Sequence, residues 1–281
     1  MTEQIVEVDM TDEFDRPLGG LEGMRRIRFD RTQMEGAAAE IRFLPGKPEL
    51  TEADAVHVWE GLDKAALPIF ERQTMNVVNL TLKPTGHDQT HEVQQGWVMA
   101  STDRRTAVSL YPSVVAVQTA NYDHYRTSLG DPLTRVLQLF VEATGASVVQ
   151  RIGLRYVNRL QNSEAVTPIY WSEHVRAAFA GPLVQGIAPL VEALHQQVQL
   201  RLDDTAAARV QSGVFREQTT ESLYSYLVDI DVFREQAINF DEILCANLTR
   251  QLNRTALALF AHVLSDEYLA QMGPSPIEEN S

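Results

Sequence analysis

Cysteine is almost missing from this sequence: Cys245 is the only one in 281 residues. A lone cysteine excludes an intramolecular disulfide and a cysteine-based zinc cluster. It falls on the apolar side of a predicted helix, so buried packing is expected rather than reactivity. Long apolar runs are missing too, and no segment approaches the roughly 20 residues of a membrane-spanning helix. The opening "MTEQIVEVDMTDEFD" is acidic and lacks the apolar core of a signal peptide, so a cytoplasmic protein is expected. Basic residues are in deficit, with 24 Lys and Arg against 38 Asp and Glu, a formal net charge of −14. That balance argues against wholesale binding to nucleic acid or anionic membrane, although a local basic patch is still allowed. No serine sits in a Gly-x-Ser-x-Gly turn, and neither "GLEG" nor "RPLGG" forms a phosphate or dinucleotide loop.

What is there is the core of an ordinary globular protein, 44% hydrophobic. "MRRIRFDR" reads as a short strand and "GAAAEIRFL" (36–44) as a longer one. Thr51 with Asp54 three residues on makes a variant capping box, and the helix after it carries Ala55, Val56, Trp59, Leu62 and Ala66 on one stripe. Three strands follow: "TMNVVNLTLK", "VQQGWVMAS" and "TAVSLYPSVVAVQTA", where Pro112 points to a bulge or an edge strand. Asp131 as N-cap, Pro132 at the first helical position and Gly145 at the stop then frame a helix, with an earlier start near Tyr122 and an interruption at Gly130 as the alternative. The second half repeats this order. "SVVQRIGLRYVNRL" is a strand and "YWSEHVRAAFA" a short helix. "PLVEALHQQVQLRLD", "AARVQSGVFRE" and "LYSYLVDIDVF" are strands, with a helical turn at the start of "PLVEALHQQ" as an alternative. A long helix capped by Asn239 carries Ile243, Leu244, Leu248, Leu252, Leu259, Phe260 and Val263.

The expected fold is therefore α+β: two tandem strand-helix-three-strand-helix halves with pseudo-twofold symmetry, forming antiparallel sheets with helices on one face. The expected organisation is an acidic extension over 1–30, halves at 31–147 and 148–269, and a tail at 270–281. The acidic ends, "EVDMTDEFD" and "PSPIEENS", read as solubility segments.

In "RIGLRYVNRL" (151–160) the odd positions carry Arg151, Arg155 and Arg159, while the even ones are mostly apolar. A strand alternates its faces, so the three arginines share one side and Tyr156 and Asn158 the other. "YLVDIDVF" shows the same period, with Asp229 and Asp231 on one face. Two readings follow. If the strands are neighbours, Arg155 facing Asp229 or Asp231 is a structural network, since arginine forks onto carboxylates. In the other, Arg151, Arg155 and Arg159, with Asn158, form a site for a phosphate, a carboxylate or a peptide C-terminus; both readings hold together if one arginine is paired and another is free.

The same stretch resembles the signature of the TIGR04255 family, a sporadically distributed bacterial family with a central Arg-Ile-Gly-Leu-Arg-Tyr-Ile-Asn-Arg-Ile motif; here Val157 and Leu160 replace isoleucines. "AEIRF", "VQTANYDHYRTSL", "VDIDVF" and "LNRTALALFAHVLSDEYL" extend the resemblance over about Gly36 to Leu269. It supports the fold reading and implies a gene of mobile or defence loci, but it carries no catalytic residues across. The order of elements is also similar to that of SecB-type export chaperones, here doubled in one chain, which implies binding of unfolded segments along apolar grooves.

Metal chemistry has little to stand on. His87, Asp88, His91 and Glu92 in "GHDQTHE" are the densest ligand cluster, and they read as a solvated loop between strands. No cofactor and no metal are expected. The favoured reading is a non-catalytic binding module whose partner is another protein or peptide, with neither a membrane nor nucleic acid as partner and homo-oligomerisation left open. The alternative is an enzyme acting on an anionic small molecule, with Arg151, Arg155 and Arg159 as clamps and Asp229 or Asp231 as acid, base or metal ligand.

Overall fold

A computed structural model describes residues 13–21, 27–29, 33–83, 86–218 and 223–276. The expectations for the acidic ends lie largely outside the described residues. The chain forms two compact units. The first is Gly36–Ile152 with Glu235–Cys245; the second is Gly153–Arg234 with the chain before Gly36 and from Ala246 onward. The architecture is α+β, and among the described residues no helix is long and apolar enough to cross a membrane.

The first unit is built on β2 (Met34–Leu44), β3 (Ile69–Lys83), β4 (Gly86–Ala100), β5 (Thr106–Tyr111), β6 (Val114–Thr119) and the start of β7 (Val148–Leu160). Their hydrogen-bonded order is β3-β4-β5-β6-β2-β7. In β2 the two-residue period sorts Ala37, Ala39, Ile41 and Phe43 into the core and leaves Ala38, Glu40 and Arg42 on the other face. Helices cover the apolar side. In α1 (Glu52–Glu60) the predicted capping box is present: Asp54 N–H donates to Thr51 Oγ1 at 3.3 Å, and Thr51 N–H donates to Asp54 Oδ2 at 2.9 Å. Trp59 of α1 stacks on Phe70 at 5.0 Å, and Phe70 on Trp97 at 4.9 Å. From α2 (Asp131–Thr144), Phe140 packs against Phe43 at 5.5 Å.

Three local expectations change in this unit. "GHDQTHE" is not a loop: its backbone forms the start of β4, paired with β3 down to Lys83↔Gly86. The side chains of His87, Asp88, His91 and Glu92 lie outside the described residues. "TAVSLYPSVVAVQTA" is not one bulged strand but the hairpin β5–β6, closed by the pair Tyr111↔Val114 around Pro112 and Ser113. Proline presets the turn dihedral and has no N–H to give a ladder, so a turn suits it better than a bulge. Asp131 does not cap α2, because a π-helical turn, Arg126–Gly130, runs straight into it. Gly145 ends α2 as expected, with φ of 70°.

The second unit orders its strands β7-β10-β9-β8, with β8 (Gln196–Arg201), β9 (Ala206–Arg216) and β10 (Tyr224–Asn239). Strands β9 and β10 pair antiparallel from Tyr224↔Arg216 to Arg234↔Ala206, and β8 and β9 from Gln196↔Ser212 to Arg201↔Ala207. A small second sheet pairs β1 (Ile27–Phe29) with β11 (Pro274–Pro276). Of the segment from Pro189, the start forms a 3₁₀ turn, Ala188–Leu190, in line with the helical-turn alternative, and the strand is the six residues of β8. "YWSEHVRAAFA" likewise splits into a 3₁₀ turn, Pro168–Ser172, and a single helical turn, α3 (Ala177–Ala180).

The long helix α4 (Glu242–Val263) follows β10. Asp241, not Asn239, receives the first-turn N–H: Leu244 donates to its Oδ1 at 2.8 Å. Asn239 still belongs to β10. Ile243 is exposed, at about 100° per residue opposite Leu252, while Leu248, Leu252, Leu259, Phe260 and Val263 are buried as expected. Ser265 caps the short helix α5 (Asp266–Gln271) through Tyr268 N–H.

Candidate functional site

The alternation read in "RIGLRYVNRL" is real along β7. Ile152, Leu154, Tyr156 and Leu160 are buried, and the arginines occupy the other face. Each arginine meets carboxylates of its own unit. In the first unit, Arg151 Nη1 donates to Glu40 Oε1 at 2.9 Å, and its Nε lies 3.8 Å from Glu235. In the second, Arg155 makes a two-pronged contact with Asp229, Nε to Oδ1 at 2.8 Å and Nη2 to Oδ2 at 2.6 Å. Asp229 hydrogen bonding, with further support from the charge of Asp231, raises the pKa of Arg155 above that of a free guanidinium. Asp231 sits opposite Arg209 of β9 in the strand register.

Arg159 is the most heavily engaged. Its Nη1 donates to Glu35 at 2.8 Å, and its Nε and Nη2 both donate to Glu217. Glu217 is 4% exposed and also accepts from Ser225 Oγ and from Gln161 Nε2. Burial alone works to raise its pKa; the hydrogen bonds from Arg159, Ser225 and Gln161 outweigh burial and hold the carboxyl below its ordinary value. Asn158, on the opposite face, is buried, and its Nδ2 donates to the Val228 carbonyl at 3.3 Å.

The structure thus brings Arg155 and Asp229 together and gives the other two arginines partners that the sequence reading missed. Glu40 was visible as the charged member of an apolar alternation in "AEIRF". Glu217 and Glu35 had no comparable signal, because each lies at a strand end. Among the described residues, no three His, Cys, Asp or Glu side chains converge as a metal site requires. Cys245 is fully buried, and burial pushes its thiol up to about 11.

Two further features of the second unit are open to solvent. One is a cleft of about 260 Å³ whose lining includes Gln33, Gln161, Asn162, Ser163, Tyr268 and Gln271. Its amides are partly spent on each other: Gln33 Nε2 donates to the Gln161 carbonyl at 3.0 Å, and Gln161 N–H donates to Gln33 Oε1 at 2.7 Å.

The other is the outer edge of β8, the last strand of this sheet, which pairs with no further strand among the described residues. Leu194 N–H donates to the Val214 carbonyl and Leu202 N–H to the Ala206 carbonyl, so the even-numbered residues of β8 face β9. Antiparallel pairing alternates, which turns the N–H and C=O groups of Gln197, Gln199 and Arg201 outward along the edge. The strand, "QQVQLR", has no lysine, proline or carboxylate. Val198 on the strand and Val184, Ile187 and Leu190 just before it are all exposed, Leu190 by 81%. Gly213 of β9 holds this edge in place: a Cβ there would come within 1.9 Å of the Leu194 carbonyl oxygen.

No family model and no curated protein matches this chain.

Proposed function

We propose that the chain is a non-catalytic protein-binding module that takes an extended segment of a partner as an added strand along β8. The observation that carries this reading is the edge itself. A strand edge offers a ready-made row of hydrogen-bond donors and acceptors, and natural proteins guard such edges with lysine, proline or inward charges. Lysine, proline and carboxylates are missing from β8, Val198 on it is exposed, and Val184, Ile187 and Leu190, exposed as well, precede it in the sequence. Main-chain pairing supplies affinity in strand addition, and apolar neighbours supply selectivity. The module is chaperone-like in the sense that any unfolded segment with alternating apolar residues satisfies such an edge. It acts in the cytoplasm.

The arginine face supports the same reading from the other side. Arg151, Arg155 and Arg159 all hold carboxylates of the chain, which supports a lock on the sheet over an anion clamp. The competing reading, an enzyme working on an anionic small molecule through these arginines with Asp229 and Asp231, draws on Arg155, whose side chain is 54% exposed.

We also infer membership of the bacterial family that "RIGLRYVNRL" resembles, and a place in a mobile or defence locus, which the neighbouring genes will test. A duplicated, pseudo-twofold element order belongs to this proposal. In each half the last strand of the meander lies beside the first strand, β6 beside β2 and β10 beside β7, which supports it.

The test is suppression of aggregation. The purified chain should hold a chemically unfolded client in solution, and Gln199→Pro should abolish the effect. Proline at 199 removes an N–H that points away from β9, so the fold tolerates it. Equal suppression by both forms, or none by either, contradicts the proposal.

A further inference from the structure

Two arginines stand on the polar face of the second unit's sheet, at its outer side, with no carboxylate bonded to them. In strands paired in register, directly opposite residues point to one face. Three rows therefore cross this face. Arg155 and Asp229 continue through Gln211 to Gln197, Asp231 through Arg209 to Gln199, and Phe233 through Ala207 to Arg201. The first row is closed at its inner end by the fork of Arg155 on Asp229. In the second, the charge of Asp231 acts on Arg155 as well. Arg201 and Arg209 make no hydrogen bond and no ion pair among the described residues, and the Nε of Arg209 is buried without a partner.

Their placement suits a carboxylate. Arg201 is the diagonal neighbour of Arg209, with backbone positions about 7–8 Å apart, and the small side chain of Ala207 lies directly across from Arg201. Two guanidinium groups at that spacing repel each other. A carboxylate brought to them relieves the repulsion and gives each a two-pronged partner. Gln197, Gln199 and Gln211, the other polar side chains of the patch, carry no charge. On its opposite face β8 presents Val198 and Leu200.

A strand added along β8 meets this patch in one way. The outward N–H and C=O groups belong to Gln197, Gln199 and Arg201, so the residue opposite Arg201 pairs with it through the backbone and sends its side chain to the arginine face. The residues on either side of it turn to the face of Val198 and Leu200. We propose that β8 selects extended segments in which acidic and apolar residues alternate, with the acids meeting Arg201 and Arg209. The inference rests on the strand addition proposed above and names the chemistry of the partner. The net charge of −14 opposes it little, because in physiological salt charges more than about 8 Å apart are largely screened, while the carboxylate sits in contact.

The experiment titrates the full chain with three capped eight-residue peptides. Each has valine at alternate positions, with glutamate, glutamine or lysine between. Binding is followed by amide exchange at Gln197, Gln199 and Arg201. The glutamate peptide is expected to bind about tenfold more tightly than the lysine peptide, the scale of two cross-strand charge pairs that change sign. Raising the salt to about 0.5 M should narrow that gap. Arg201→Gln/Arg209→Gln should reduce the preference to about twofold or less. Arg201→Glu alone, a change at an exposed side chain, should erase it even if the double variant fails to fold. Equal binding of the glutamate and lysine peptides to the wild type overturns the inference, and so does a preference that survives Arg201→Glu. If all three peptides slow exchange alike, charge selection fails and strand addition stands. If none does, strand addition fails and this inference with it.

Discussion

Arg155 and Asp229 are bonded by two parallel hydrogen bonds, 2.8 and 2.6 Å, yet only one of them is in solvent: the arginine side chain is 54% exposed and the aspartate 7%. The asymmetry decides what each residue is for. The arginine can find water as an alternative partner; the buried carboxylate cannot. Arg155→Ala should therefore lower stability by about 2–3 kcal/mol, the scale of a hydrogen-bonded charge left unsatisfied. Asp229→Asn in the same background should recover part of the loss. Denaturant unfolding of both single variants and the double variant reads the coupling. Full stability in Arg155→Ala would favour the anion-clamp reading.

Acid should strike the Arg159–Glu217 pair. The folded pKa of Glu217 lies below its ordinary value of 4.5, so the pair contributes stability above that pH and loses it as pH falls through the lower folded value. Glu217→Gln should be less stable than the wild type at neutral pH, with the gap closing on acidification below about pH 4. A gap that is constant with pH would show that Glu217 acts only by packing.

Gly213→Ala probes the seat of β8. The added methyl meets the Leu194 carbonyl, which cannot move without breaking the Leu194–Val214 hydrogen bond. A loss of about 1–3 kcal/mol is expected from such overpacking, with faster exchange through β8. An unchanged midpoint would mean that the Leu194 turn gives way freely.

Cys245 should resist thiol reagents at pH 8 in the native chain and react at once in denaturant. It is fully buried, and its thiol titrates near 11. Rapid labelling of the native protein would contradict the packing at the start of α4.

Much of this architecture was legible because it depends on local periods. The two-residue alternation of β2, β7 and β10 sorts their side chains onto two faces, and the Thr51 box and the Gly145 stop are set by short-range chemistry. That Arg155 and Asp229 each lie on the charged row of a strand follows from the same period. That their strands are neighbours does not, since strand order is a long-range property that no window of sequence encodes. The same reason hid Glu35 and Glu217, and it hid the pairing of Glu40 with Arg151 although Glu40 itself stands out in its alternation; all three reach the arginines from other strands or strand ends. It hid the β8 edge too. A strand announces its residues locally, but whether it ends a sheet depends on what fails to pair with it. The hairpin at Pro112 and the cap at Asp241 were missed more simply, by a choice between adjacent positions that one side chain decides.

The most direct test of strand addition at β8 uses the full chain. A peptide of six to eight residues with alternating valine and polar positions is added, and amide exchange is followed residue by residue. The account predicts slowing at Gln197, Gln199 and Arg201 while Val198 and Leu200 hold their rates, the two-residue signature of a new strand. Slowing spread over all five residues, or confined to sites outside β8, or no slowing at saturating peptide, would contradict it.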